Sequence, residues 1–207
     1  MAAWLLMLAV SAGLSMNLVL QFGFGIREIA LAKKGAPRGK APAAASLPVK
    51  LCVFFASILL LWIAFSFARY MLPLGFLEYV LVFPVSLLVF SGWKCLSGRY
   101  LSGSPGGSGE GGHSPWDVFD GGALAGAALF VTLAVAGDIV EALVLSLGFT
   151  LGTLLAVAAV AEIRRRAAME AVPGWLRGAP LALVAMGLLS LVFSSAAMVL
   201  FEVLGGG

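Results

Sequence analysis

Six long stretches of this chain carry almost no charge, and that feature constrains the fold more than any other. Met1 to Ile26, Leu51 to Ala68, Ala142 to Ala161 and Gly178 to Phe201 contain no charged side chain. Tyr70 to Trp93 has only Glu78, and Val118 to Gly137 only Asp120. A helix crossing the hydrocarbon layer needs about 20 apolar residues, so each stretch is long enough to span it. Hydrophobic residues make up 61% of the chain and charged residues 11%, against roughly 25% charged in a soluble domain. This excludes an ordinary water-soluble enzyme, a nucleic-acid binder and a disordered chain. The expectation is an all-α integral membrane protein with six transmembrane helices, its main surroundings being the lipid bilayer. The first stretch lacks a basic start and a small-residue cleavage pattern, so it reads as a span rather than a signal peptide.

The loop charges predict an orientation. Arg27, Lys33, Lys34, Arg38, Lys40 and Lys50 follow the first span. Lys94 and Arg99 follow the third, and Arg164, Arg165, Arg166 and Arg177 follow the fifth. With six alternating spans these loops share one face, which then holds all the basic residues except Arg69. The positive-inside rule makes that face cytoplasmic and puts both termini outside. Short connections join spans two and three, and spans four and five, as hairpins.

Leu96 to Pro115 (LSGRYLSGSPGGSGEGGHSP) is a Gly/Ser-rich, flexible stretch. It predicts a three-span repeat over residues 1–96, a cytoplasmic linker over 97–116 and a second three-span repeat over 117–207. An odd number of spans per half makes the second half start on the opposite side from the first. Two related halves would then be inverted about an axis in the membrane plane, as in many transporters.

The polar residues inside spans are the candidates for chemistry. Span one holds Asn17, Gln21, Gly23 and Gly25 among apolar neighbours. One reading is a broken helix whose freed backbone groups line a mid-membrane site, as paired glycines weaken a helix. The other is that the amides bond across helices and the glycines allow close packing. Span four carries Asp120, a carboxylate placed to handle ions or to face water at the span's end. Asn17, Gln21 and Asp120 are therefore the ion-path candidates. Gly122 with Gly126, and Gly148 with Gly152, form small-xxx-small faces suited to helix packing. Asp138 and Glu141 read as solvated charges of the fourth-to-fifth turn, or as a cation-collecting pair at an exit. Glu78 and Glu202 sit near the outer ends of their spans. The Arg164–Arg166 run reads as an anchor meeting anionic headgroups.

Cys52 and Cys95 are isolated and read as small buried hydrophobes, neither a disulfide framework nor a zinc site. His113 stands alone among Gly and Ser, and a metal site needs three or four ligands. No phosphate-binding loop, dinucleotide fingerprint, nucleophile elbow or HExxH motif occurs. Neither a catalytic residue nor a bound metal is expected in this chain.

The last third carries a specific resemblance. Ile163-Arg164-Arg165-Arg166, Val172-Pro173, Arg177-Gly178, Ala182-Leu183 and Gly187-Leu188-Leu189-Ser190-Leu191 are similar to the A subunit of the Rnf/Nqr family. The family pattern there is I-R-E-R, V-P, F-R-G, A-L and G-L-M-S-L. Asn17 to Gly25 is similar to the family's amide-containing segment before its first cluster cysteine. The resemblance implies six spans in two inverted repeats, with spans one and four broken. It further implies a bacterial inner-membrane complex that couples electron transfer, between ferredoxin or a quinone and a nicotinamide cofactor, to sodium or proton transport. The implied partners are a paralogous E-type membrane subunit, flavin-carrying membrane subunits and an NADH-dehydrogenase-like subunit.

This chain departs from the family at the cofactor. Family members share a 2Fe–2S cluster with their E-type paralogue through one cysteine in each broken span. The aligned positions here fall near Ile26 and at Gly122, the latter from setting T-T-N-C-A-V-L-G against Phe119 to Gly126. Neither residue ligates iron through its side chain, so no cofactor is expected on this chain. The expected role is a non-catalytic or scaffold subunit of a redox-driven ion translocase. A stand-alone carrier or permease for a small solute, built on the same inverted scaffold, is the alternative.

Overall fold

Apolar sequence in the absence of water leaves the backbone only itself to bond to, and helices are the result. A computed structural model describes residues 2–22, 43–71, 77–100, 119, 122–167 and 179–205. No strand occurs among them. The helices are α1 (Ala2–Val10), α2 (Leu18–Phe22), α3 (Ala43–Met71), α4 (Leu77–Tyr100), α5 (Gly122–Val135), α6 (Ile139–Ala167) and α7 (Ala179–Gly205). A π-helical turn, Ser11–Ser15, follows α1 directly.

Four segments are long and apolar enough to cross a membrane: Trp4–Gln21, Leu47–Met71, Ile139–Ala167 and Pro180–Val203. They coincide with the first, second, fifth and sixth stretches of the sequence. The third and fourth stretches fall on α4 and α5, where the described apolar segments, Val80–Val89 and Gly122–Val135, are shorter. Two boundaries differ from the sequence reading. Tyr70 and Met71 complete α3 rather than open the next span, and α4 continues to Tyr100, into the Gly/Ser-rich stretch. Composition marks a loop poorly when a neighbouring helix can simply propagate one more turn.

Helix α6 is the centre of the bundle. It touches α1, the π-turn, α2, α3, α5 and α7. Its 29 residues give a rod of about 43 Å, longer than the roughly 30 Å hydrocarbon layer. The excess carries the charged end, where Glu162 pairs with Arg165 at 2.8 Å and Arg166 at 2.9 Å. Those arginines lie in the last turn, where positive charge complements the helix dipole. At the other end Ala136–Asp138 turns the chain from α5 into α6. The Asp138 carbonyl accepts the Ala142 N–H at 3.0 Å, and the Glu141 carboxylate accepts the Gly137 N–H at 2.9 Å. The Glu141 bond is one half of a capping box, reaching one residue before the N-cap, and it closes the short turn between α5 and α6.

The remaining helices pack across the two halves of the sequence more than within the first half. The N-terminal segment, from α1 through α2, packs on α6 and α7; α3 packs on α5 and α6; α4 packs chiefly on α5. Phe54 of α3 meets Phe119 edge to face at 5.5 Å, and Ile58, Leu129, Leu145, Phe149 and Val157 fill the interior. Buried hydroxyls bond back into their own helices: Thr132 to the Ala128 carbonyl at 2.8 Å, Ser146 to Ala142 at 2.7 Å and Thr150 to Ser146 at 2.8 Å. Self-satisfied hydroxyls add no polar surface to the interior.

The contact of α4 with α5 is close at Gly126. A Cβ there would lie 3.3 Å from the Phe83 ring and at 2.5 Å from Ser86 Oγ, which itself donates to the Phe83 carbonyl at 2.9 Å. Gly126→Ala should cost about 1–2 kcal/mol by overpacking. Combining it with Ser86→Gly should recover most of that loss, a coupling that a double-mutant cycle of detergent unfolding measures.

Candidate functional site at a broken membrane helix

The first span is interrupted. Its N–H to C=O spacing widens in the π-turn, where the Met16 N–H donates to the Ser11 carbonyl at 2.7 Å. Met16 then leaves helical geometry with φ −101° and ψ 37°, and α2 restarts at Leu18. The helix breaks, and the Asn17 amide bonds across to another helix. The described break falls at Met16–Asn17, where Ser and Asn compete with the helix for backbone bonds. Gly23, Gly25 and Ile26 lie outside the described residues.

Asn17 is 2% exposed, and its whole amide is engaged. Nδ2 donates to the Gly13 carbonyl at 3.0 Å and to the Gly152 carbonyl of α6 at 2.8 Å. Oδ1 accepts the Leu20 N–H at 3.3 Å, which makes Asn17 the N-cap of α2. Its own carbonyl accepts the Gln21 N–H at 2.9 Å. The side chain thus closes the break and ties it to the central helix.

Glycines bring the two backbones within reach of that amide. A Cβ on Gly152 would sit 2.6 Å from Gly13 Cα and would also strike the Gly13 carbonyl oxygen. A Cβ on Gly148 would lie 2.8 Å from the Ala9 carbonyl oxygen, and one on Gly13 would lie 3.1 Å from the Gly148 carbonyl oxygen. The small-xxx-small face of α6 is therefore a packing face, and its partner is the π-turn and the end of α1. Gly13 is not legible as that partner, because nothing in the sequence marks where a π-turn will form.

Gln21, the other described ion-path candidate, does not join Asn17 in a buried site. Gln21 is exposed, and its side-chain amide donates to the Ser15 carbonyl. Asp120 lies outside the described residues, as does His113. Glu141 is tied into the α5–α6 turn and also accepts the indole N–H of Trp4 at 3.1 Å, which latches the start of α1 to that turn. Asp138 and Glu202 are exposed. Cys52 corrects the sequence reading: it is exposed on α3 rather than buried, since it falls on a helix face that no described neighbour covers. Cys95 belongs to α4. Gly122 opens α5 with no side chain to offer a metal.

Among the described residues no group of three or more His, Cys, Asp or Glu could hold a metal ion. Every fully buried side-chain nitrogen or oxygen among them has a hydrogen-bond partner. The arrangement ties the end of α1 and the start of α2 to α6 through the Asn17 amide and the close glycine contact. No family, no curated protein and no solved structure matches the chain.

Proposed function

We propose that this chain is the A-type membrane subunit of an Rnf-like ion-translocating electron-transport complex. In that reading it folds as two inverted three-span halves and sits beside an E-type paralogue in a bacterial inner membrane. The observation that carries the reading is the pattern of helix contacts. Number the spans in order, with the N-terminal segment through α2 as one, α3 as two, α4 as three, α5 as four, α6 as five and α7 as six. Span one packs on five and six, and span four packs on two and three. Span two meets span five, and span one meets span four through α2. Exchanging each span with the one three places along returns these same contacts, which supports two related halves and is compatible with an in-plane two-fold axis. The hairpin contact of four with five is the exception, being closer than that of one with two among the described residues. The broken first span and the motif run from Ile163 to Leu191 support the same family.

The family's iron–sulfur cluster does not fit the residues available. Gly122, at one aligned ligand position, has no side chain, and its helix packs into the apolar interior through Leu124, Ala125 and Ala128. Ile26, at the other, brings no thiolate. Cys52 faces outward on α3. In this reading the chain shapes the membrane arm and holds its partners, while electrons pass through cofactors carried by other subunits.

Affinity purification from the native membrane tests the assignment. The expected result is co-purification of flavin-containing and NADH-oxidising subunits, with no iron retained when this chain is isolated from them. A chain that migrates alone, without flavoprotein, overturns the assignment in favour of a stand-alone carrier. Iron with a 2Fe–2S EPR signal on the isolated chain overturns the lost-cluster reading.

A further inference from the structure

An open groove of about 230 Å³ runs between α6 and α7. Ile163 of α6 and Leu181, Val184, Ala185, Leu188 and Val192 of α7 line it. Every lining residue is apolar. Ile163 is followed at once by Arg164, Arg165 and Arg166, which end α6. Arg165 and Arg166 remain largely exposed, and both pair with the one carboxylate of Glu162. Two arginines against that one anion leave the last turn of α6 with a net positive charge.

We infer that this groove is a binding site for an anionic phospholipid, with its headgroup on the α6 arginines and an acyl chain along α7. The length of the groove selects this occupant. From Leu181 to Val192 the helix rises about 16 Å, close to half of the roughly 30 Å hydrocarbon thickness. One leaflet's acyl chain has that reach. Charge complementarity selects the headgroup, since basic pockets between helix ends attract anionic lipids. Neutral lipid would gain the apolar contact and forgo the charge. This inference requires only that α6 and α7 lie in a bilayer, and it stands apart from the electron-transport reading.

Native mass spectrometry of the full-length chain, exchanged into phosphatidylglycerol, cardiolipin or phosphatidylcholine, tests it. Phosphatidylglycerol and cardiolipin should remain bound at collision energies that strip phosphatidylcholine. The double variant Arg165→Gln/Arg166→Gln keeps Arg164 at the membrane boundary. It should reduce anionic-lipid retention by about tenfold, from the loss of two charges near the headgroup. Leu188→Trp fills the groove from an exposed position, leaves the charge unchanged and should reduce retention by about threefold through lost acyl contact. Equal retention of all three lipids by the unaltered chain overturns the inference. So does undiminished anionic-lipid retention in either the double arginine variant or the Leu188→Trp variant.

Discussion

Gly152→Ala should abolish the native packing of the first span. The added methyl would meet Gly13 Cα at 2.6 Å and the Gly13 carbonyl carbon at 2.7 Å, distances that no rotamer can relieve because both sides are backbone. Helix α6 cannot shift away, since it is packed on its other faces by α3, α5 and α7. The expected loss is about 3 kcal/mol, the upper end of ordinary overpacking, read as a lower midpoint in detergent or SDS unfolding. Gly148→Ala meets the Ala9 oxygen at 2.8 Å and the Ala12 Cβ at 3.0 Å and should cost about 1–2 kcal/mol. Gly187 provides the control: nothing lies within 4 Å of a Cβ built there. Gly187→Ala should be neutral, or stabilising by up to about 1 kcal/mol from helix propensity. Equal effects at Gly152 and Gly187 would dismiss close backbone approach as the reason for the glycines.

Asn17→Ala has the second large expected effect. It removes both donors from the Gly13 and Gly152 carbonyls and the acceptor from the Leu20 N–H. Buried groups left without partners cost about 1–3 kcal/mol each in water-soluble proteins, and interhelical bonds in membranes average about 0.6 kcal/mol. Across three bonds the expected destabilisation is about 2 kcal/mol. Asn17→Ser should fall between, because a hydroxyl can still cap α2 but cannot reach α6 as a long amide does. Hydrogen exchange separates this from a general loss of stability. The Leu20 amide should exchange faster in Asn17→Ala under conditions where the α6 amides remain protected. Unchanged protection at Leu20 would show that the cap is not what holds the break.

The contrast between Gly152 and Asn17 shows which features the sequence makes legible. A small-xxx-small spacing is a local pattern on one helix, so Gly148 and Gly152 read as a packing face even with no partner in view. The apolar stretches are equally local, and the four long apolar helices follow from them directly. Asn17 is legible only as an amide needing partners. Its assignment as cap and cross-link depends on a π-turn at Ser11–Ser15, which changes the register of every later residue in that span. The helix ends at Met71 and Tyr100 depend on how far hydrogen bonding propagates beyond the apolar run, and residue type specifies that weakly. Cys52 departs from expectation because an apolar span without a strong periodicity does not announce which of its faces is covered.

The dependence of the first span on α6 also has a consequence for biogenesis. Synthesis runs from the N-terminus, so Asn17 enters the membrane long before Gly152 has been translated. During that interval its amide lacks the Gly152 carbonyl it will finally hold. The native packing of the first span can be completed only after α6 has been made.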